Sequence, residues 1–277
     1  MTLSEAIESV RGAIVQVSLF AFDREGNYRE RWGKSFLAEP IGTGFLVNED
    51  GIVVTANHVL LQGRRAIAAL PDARLQIGFP QPNSDNMRGN FTTVGYDVLL
   101  QDDLHDVAVV KVQQNPFQGE VRSGIRIGDT DLPMSFSTVR LDPARPVDGT
   151  PIAVSGYPLS SSVLVSTSGH VASSWGFEIK EVEVPNARTG FTMPEVSDAY
   201  IGDVEVNGGN SGGPVYRVKD GAVIGVCVAV RTAPVINSAG ESIQNVVFTT
   251  GLSIIVPVRY VVEGLEKVGA SWRRFSA

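Results

Sequence analysis

Apolar and polar positions alternate along most of the chain in short β-branched runs, broken by glycine, proline and asparagine. That is the pattern of many brief strands. The runs predict strands at about 12–22, 41–48, 51–55, 64–69, 74–79, 91–101 and 107–112. A second set begins near 151 and continues through 163–166, 169–175, 177–184, 200–206, 214–218, 222–230, 245–250 and 252–256. Asn48-Glu49-Asp50-Gly51 is a hairpin signal between two of them. Helical spacing is concentrated at the ends. Residues 3–10 predict a short amphipathic helix opened by Thr2 or Ser4, with Glu5 in its first turn. Pro257 starts a final helix over about 258–268, with Val258, Val261, Val262, Leu265 and Val268 at roughly helical spacing. The fold class is therefore all-β, barrels or a sandwich, with short terminal helices.

Two polar stretches punctuate the pattern. Residues 80–90, rich in Pro, Asn and Gly, predict an exposed loop. The stretch 129–149 carries Pro133, Pro143 and Pro146 and is the best candidate for a connection between two halves, 1–135 and 136–277. No repeat of fixed period and no low-complexity tract is present.

Composition narrows the function classes. The chain has 277 residues, long enough to bury a large core, with 43% hydrophobic and 19% charged residues, as in soluble globular proteins. A net charge of −7 argues against nucleic acid or an anionic membrane as the main partner. No apolar run approaches the ~20 residues that span a bilayer. Residues 1–10 lack the basic and apolar segments of a secretory signal. The expectation is a cytoplasmic protein, or a periplasmic or secreted one had a leader been removed. Cys227 is the only cysteine, so no intramolecular disulfide forms, and its apolar surroundings predict a buried structural thiol. With one Cys and three His, a Cys/His zinc site has little support. Neither metal nor cofactor is expected.

Three short motifs carry candidate chemistry. Gly209-Asn210-Ser211-Gly212-Gly213-Pro214 presents a serine on a glycine-rich turn, where backbone can take φ > 0 and a substrate carbonyl can approach closely. A serine hydroxyl needs a base to remove its proton and donors to receive the oxyanion it creates. Taken alone, the hexapeptide reads equally well as an ordinary turn. His58 follows the apolar run Val53-Val54-Thr55-Ala56, where the chain turns into a short helical segment; alone, it reads as a structural histidine. Asp106 stands at the mouth of the apolar run Val107-Ala108-Val109-Val110, where a buried carboxylate must be compensated. Alone, it reads as a solvated aspartate at a strand entry. Together the three follow the order His, Asp, Ser, one of the known orders of the serine triad.

With Ile41-Gly42-Thr43-Gly44-Phe45-Leu46-Val47 added upstream, these motifs resemble a chymotrypsin-fold (trypsin-like) serine protease, most closely the bacterial HtrA/Deg-type branch. Gly156-Tyr157-Pro158, Thr167-Ser168-Gly169, Ile224-Gly225 and the run 251–257 fall where that branch has similar signatures, so the match covers about residues 5–265. The resemblance implies two six-stranded Greek-key β-barrels with the active site in the cleft between them. It implies Ser211 as nucleophile, His58 as base and Asp106 as its orienter, with an oxyanion hole at Gly209, Asn210 and Ser211. His105 and His170 are left as structural or surface residues. The expected partner is a protein or peptide substrate, and a homo-oligomer stays open. The PDZ domain and the leader common in that branch are missing from this sequence. The intervals 79–92, 129–149 and 176–200 are longer than usual for it.

Two residues near the nucleophile bear on control and specificity. Secreted digestive relatives pair an aspartate before the serine with a freshly cut N-terminus; Asn210 has no charge for that, so activation by clipping is not expected. Glu205, six residues before Ser211, is the position that floors the primary specificity pocket in trypsin-like enzymes. An acidic floor favours Arg or Lys at the cleavage site. The competing arrangement, which is favoured, turns Glu205 to solvent and builds a small apolar pocket from Val206, Val228 and Val230, with Ala229 between the last two. The leading function is a serine endopeptidase. The alternatives are an ester hydrolase or a pseudoprotease acting as a binding module on the same fold.

Overall fold

Thr2 opens the first helix, α1 (Leu3–Arg11), through a reciprocal capping box. The Thr2 hydroxyl accepts the Glu5 N–H (3.3 Å), and the Glu5 carboxylate accepts the Thr2 N–H (2.7 Å). The apolar face then buries Ala6 and Val10. This computed structural model describes residues 1–21, 30–31, 34–35, 39–69, 73–81, 90–118, 136–161, 163–175, 198–236 and 242–276.

The N-terminal half contains β1 (Ile14–Ala21), β2 (Glu30–Arg31), β3 (Lys34–Ser35), β4 (Glu39–Leu46), β5 (Ile52–Ala56), β6 (Ala73–Gln81), β7 (Asn90–Val94), β8 (Tyr96–Asp102) and β9 (Val107–Val112). β2 and β3 form a separate ribbon, and the other seven make one antiparallel sheet in the order β7-β6-β1-β4-β5-β9-β8. The C-terminal half contains β10 (Pro151–Gly156), β11 (Val165–Ser173), β12 (Tyr200–Gly202), β13 (Pro214–Arg217), β14 (Val223–Ile236) and β15 (Ser242–Pro257). These six close into a barrel in the order β10-β11-β12-β15-β14-β13. The expected six-stranded closure is thus seen in the second half, while in the first half β7 and β8 are the edges of a seven-stranded sheet.

Central strands are buried on both faces, which is why they read as continuous apolar runs: every residue of β5 is buried, and in β9 only Lys111 is exposed. The C-terminal helix α3 (Val258–Lys267) packs on β9 and β14 through buried Val258, Val261, Val262 and Leu265, tying the halves together. Residues 136–142 strap both: Val139 N–H bonds the Leu46 carbonyl (3.0 Å), and Asp142 N–H the Val223 carbonyl (2.9 Å).

Several expected elements change. The strand expected at 64–69 is the second half of helix α2 (Asn57–Ala69). Its Arg64-Arg65-Ala66-Ile67-Ala68-Ala69 sequence is rich in strong helix formers, and buried Val59, Leu60 and Gly63 share one face. The run 91–101 divides at Gly95 into β7 and β8, whereas 163–166 with 169–175, and 245–250 with 252–256, are each one strand. The strand expected at 200–206 stops at Gly202. The strand at 177–184, the loop centred on 82–89 and the 119–135 part of the connection lie outside the described residues.

Candidate active site

β5 ends at Ala56, and α2 begins at once with Asn57, so His58 lies in the first helical turn. Asn57 is buried and pinned: its amide donates to Asp103 Oδ1 (2.6 Å), and its side-chain oxygen accepts from Gln101 Nε2 (2.6 Å). Its N–H meets the Asp106 carbonyl (3.1 Å), which fixes the turn before β9 against the start of α2.

That turn is built by aspartates. Asp102 accepts the N–H groups of Leu104 (3.0 Å) and His105 (3.1 Å) and the His105 ring at Nδ1 (2.8 Å). Burial opposes ionisation of Asp102, but these hydrogen bonds outweigh it and hold its carboxyl below the usual value. Asp106 closes the turn with φ +53°, a left-handed conformation that aspartate tolerates better than most residues. The side chain is 3% exposed and faces His58. One carboxylate oxygen accepts the His58 backbone N–H (2.7 Å) and the other contacts His58 Nδ1 (2.6 Å). An ionised carboxylate only accepts, so Nδ1 carries the proton and Nε2 keeps its lone pair.

On the facing side, Ser211 follows a turn with Gly209 at φ +101° and precedes Gly212 at φ +86°. A Cβ at Gly209 would lie 2.3 Å from the Tyr157 carbonyl, and one at Gly212 would lie 2.1 Å from the Thr43 carbonyl. Both glycines are sterically required. The N–H groups of Gly209 and Ser211 make no hydrogen bond among the described residues, so both are free to receive a ligand oxygen. Asn210 differs from the expectation, because its N–H is bonded to the Asn207 carbonyl (3.0 Å). The Ser211 hydroxyl donates to the Val228 carbonyl (3.2 Å), and no hydrogen bond joins it to His58 among the described residues.

A model of the trypsin-like peptidase domain matches residues 42–226, spanning all three motifs. The chain belongs to the trypsin-like peptidase family. HhoB of Synechocystis is 30% identical over 190 residues, 69% of this chain and 34% of that protein. Serine protease HTRA1B of Danio rerio is 26% identical over 239 residues, 83% of this chain and 37% of that one. The chain thus spans about a third to two fifths of the length of the curated relatives it matches. A solved structure described as the HtrA-type protease AlgW with decapeptide shares the fold: TM-score 0.55, 16% identity, covering 97% of this chain and 67% of that one.

Around this trypsin-like site, Glu205 is exposed, with its carbonyl accepting from Thr167 Oγ1 (2.8 Å). Val206 and Val228 are buried, Ala229 and Val230 partly so. His105 is stacked on Tyr260 at 3.6 Å between ring centres. Tyr260 in turn donates to Asp198 (2.8 Å). His170 is exposed beside Asp203. No group of three or more metal-ligating side chains occurs among the described residues, nor any helix long and apolar enough to cross a membrane.

Cys227 is fully buried behind the site, and burial pushes its thiol up to about 12. At pH 8 almost none of it is thiolate, so native protein is expected to alkylate with iodoacetamide at least ~100-fold more slowly than a free thiol. Intact-mass time courses with and without denaturant check this.

Two contributors carried no signal of their own. Gln101 and Asp103 brace Asn57 from 44 and 46 residues away, and neither spacing nor residue type marks them.

Proposed function

We propose that this chain is a serine endopeptidase in which Ser211 is the nucleophile, His58 the general base and Asp106 the residue that orients it. The observation that carries the reading is the His58–Asp106 pair. Two hydrogen bonds to one buried carboxylate fix the tautomer that leaves Nε2 able to take a proton.

In the first step Ser211 Oγ bonds to the scissile carbonyl carbon as its proton passes to His58 Nε2. The carbonyl π electrons become an oxyanion between the N–H groups of Gly209 and Ser211. Collapse breaks the C–N bond, and the His58 proton leaves with the amine. Water then repeats the sequence on the acyl-enzyme and restores the hydroxyl. Before any of this, the Ser211 hydroxyl must leave the Val228 carbonyl.

The edge of β14 favours a polypeptide over a small ester. Its pairing with β13 ends at Val226, and beyond Cys227 that edge has no partner strand among the described residues. The Arg231 carbonyl accepts from Thr250 Oγ1 (2.9 Å) at a register shift in the β14–β15 pairing, and the Val228 carbonyl is turned to the other side, toward Ser211. An extended chain can add there as an antiparallel strand, with one of its amides on the Val228 carbonyl. Such an amide displaces the Ser211 hydroxyl and frees it for His58. Exposed Glu205 beside buried Val206 and Val228 supports a small apolar primary pocket. For the compartment, the DegP-like relatives are named periplasmic, which sets the periplasm beside the cytoplasmic placement.

The test is digestion of a denatured protein with cut sites mapped by mass spectrometry, alongside fluorophosphonate labelling. Cleavage after small apolar residues, with one labelled serine, is the expected result. Labelling with ester but no peptide hydrolysis would instead assign an ester hydrolase, and cuts confined to Arg and Lys would put Glu205 at the pocket floor.

A further inference from the structure

Every carbonyl from Asn207 to Ser211 is tied back. The Asn207 carbonyl accepts from Asn210 N–H (3.0 Å), Gly208 from Leu159 N–H (2.7 Å), and Asn210 from Gly213 N–H (2.9 Å). Thr43 supplies the remaining two: its hydroxyl donates to the Gly209 carbonyl (2.7 Å), and its N–H to the Ser211 carbonyl (2.8 Å). A peptide unit is planar, so a carbonyl held on one side turns the following N–H to the other. The bond from Leu159 to the Gly208 carbonyl therefore aims the Gly209 N–H into the cleft, and the Asn210 carbonyl does the same for the Ser211 N–H.

Glycine on both sides of the Gly208–Gly209 peptide offers little intrinsic resistance to its rotation, so the orientation rests on these external bonds. The donors have an unusual setting. Leu159 and Ser160 both take positive φ, +52° and +58°, and Leu159 is 76% exposed, while Tyr157 and Pro158 just before them are buried. At its start Thr43 takes part again: its hydroxyl accepts the N–H of buried Tyr157 (3.0 Å) while donating to Gly209. Thr43 is fully buried on β4, and the Thr55 hydroxyl fixes its own carbonyl (2.7 Å). One hydroxyl from the N-terminal half thus joins both segments of the C-terminal half that shape the oxyanion hole.

We propose that Thr43 is a positioning residue for peptide hydrolysis: its hydroxyl, with the Leu159 amide it aligns through Tyr157, holds the 208–210 peptides with the Gly209 N–H facing the substrate. The proposal rests on Ser211 being the nucleophile. Thr43 touches no reacting atom, so its loss should lower the rate of the chemical step and leave substrate binding alone.

The experiment compares wild type, Thr43→Val and Thr43→Ser on one peptide substrate, together with the affinity of a peptidyl boronate whose tetrahedral oxygen occupies the oxyanion hole. Loss of a whole oxyanion donor costs ~10²–10³ in kcat. Thr43→Val should lose ~10–100-fold in kcat with KM within about two-fold, weaken the boronate by the same factor, and be rescued by Thr43→Ser. Folding is checked by thermal unfolding. A folded Thr43→Val with wild-type kcat, or with only KM raised, overturns the proposal. If Thr43→Val does not fold, an amide-to-ester replacement at Leu159, which deletes the N–H donor and keeps the side chain and the positive φ, must show the same kcat and boronate losses, and wild-type values there overturn it equally. Wild type that neither hydrolyses peptide nor accepts a fluorophosphonate overturns the active-site reading and this proposal with it.

Discussion

Ser211→Ala is expected to lower kcat by about 10⁶ and to abolish the fluorophosphonate adduct in intact-mass spectra, because it removes the hydroxyl proposed to form the acyl intermediate. The effect should be chemical and not structural. The Ser211 hydroxyl makes one hydrogen bond, to the Val228 carbonyl at 3.2 Å, so the stability change should stay within about 1 kcal/mol. Buried Ser155, for example, offers no substitute. Ser155 bonds Ser166 (2.7 Å) and Tyr216 (2.8 Å), is fully buried and has no imidazole partner among the described residues. A label that persists on Ser211→Ala at a different serine would remove the nucleophile assignment, whereas an unlabelled but unfolded variant would be revealed by its melting curve.

The fold was legible wherever local pattern and tertiary environment agree. The capping box at Thr2 and Glu5, and the apolar stripe after Pro257, place α1 and α3 within about a residue of their observed ends, since both signals are local. The stretch 64–69 misled because apolar positions over six residues do not separate strand from helix. The residues before it settle the matter, as α2 starts at Asn57 and continues through the alanine-rich run. Gly95 and the long β15 failed in opposite directions. Whether a strand stops at a turn-like residue depends on whether its partners continue, and that is a property of the sheet.

The candidate site was legible as three residue types in order, and the structure adds what their order could not contain. Asp106 was marked by charge at the mouth of an apolar run, but its positive φ and its second bond to the His58 N–H are features of three dimensions. Asn210 was expected among the oxyanion donors with Gly209 and Ser211, yet the turn commits its N–H to Asn207. Thr43 lies inside the Ile41–Val47 motif, whose pattern assigns it no role. Its hydroxyl acts on residues 114 and 166 positions away, beyond the reach of any periodicity.

Asp106→Asn isolates the orienting role, and the structure specifies how it should fail. The His58 backbone N–H bonds one carboxylate oxygen at 2.7 Å, so that position requires an acceptor. The amide oxygen of asparagine must therefore take it, and the NH₂ group is forced to the other position, 2.6 Å from His58 Nδ1. There it donates to Nδ1, moves the ring proton to Nε2 and leaves no lone pair for the Ser211 proton. Asparagine also accepts positive φ readily, so the turn at Asp106, with φ +53°, should persist and the melting temperature shift little. The expected result is a fall in kcat of about 10⁴ with the fold intact. Kinetics give the first number, and ¹⁵N shifts of the His58 ring report the tautomer directly. A variant within ten-fold of wild type, or one that keeps the proton on Nδ1, would show that Asp106 does not set the state of the base.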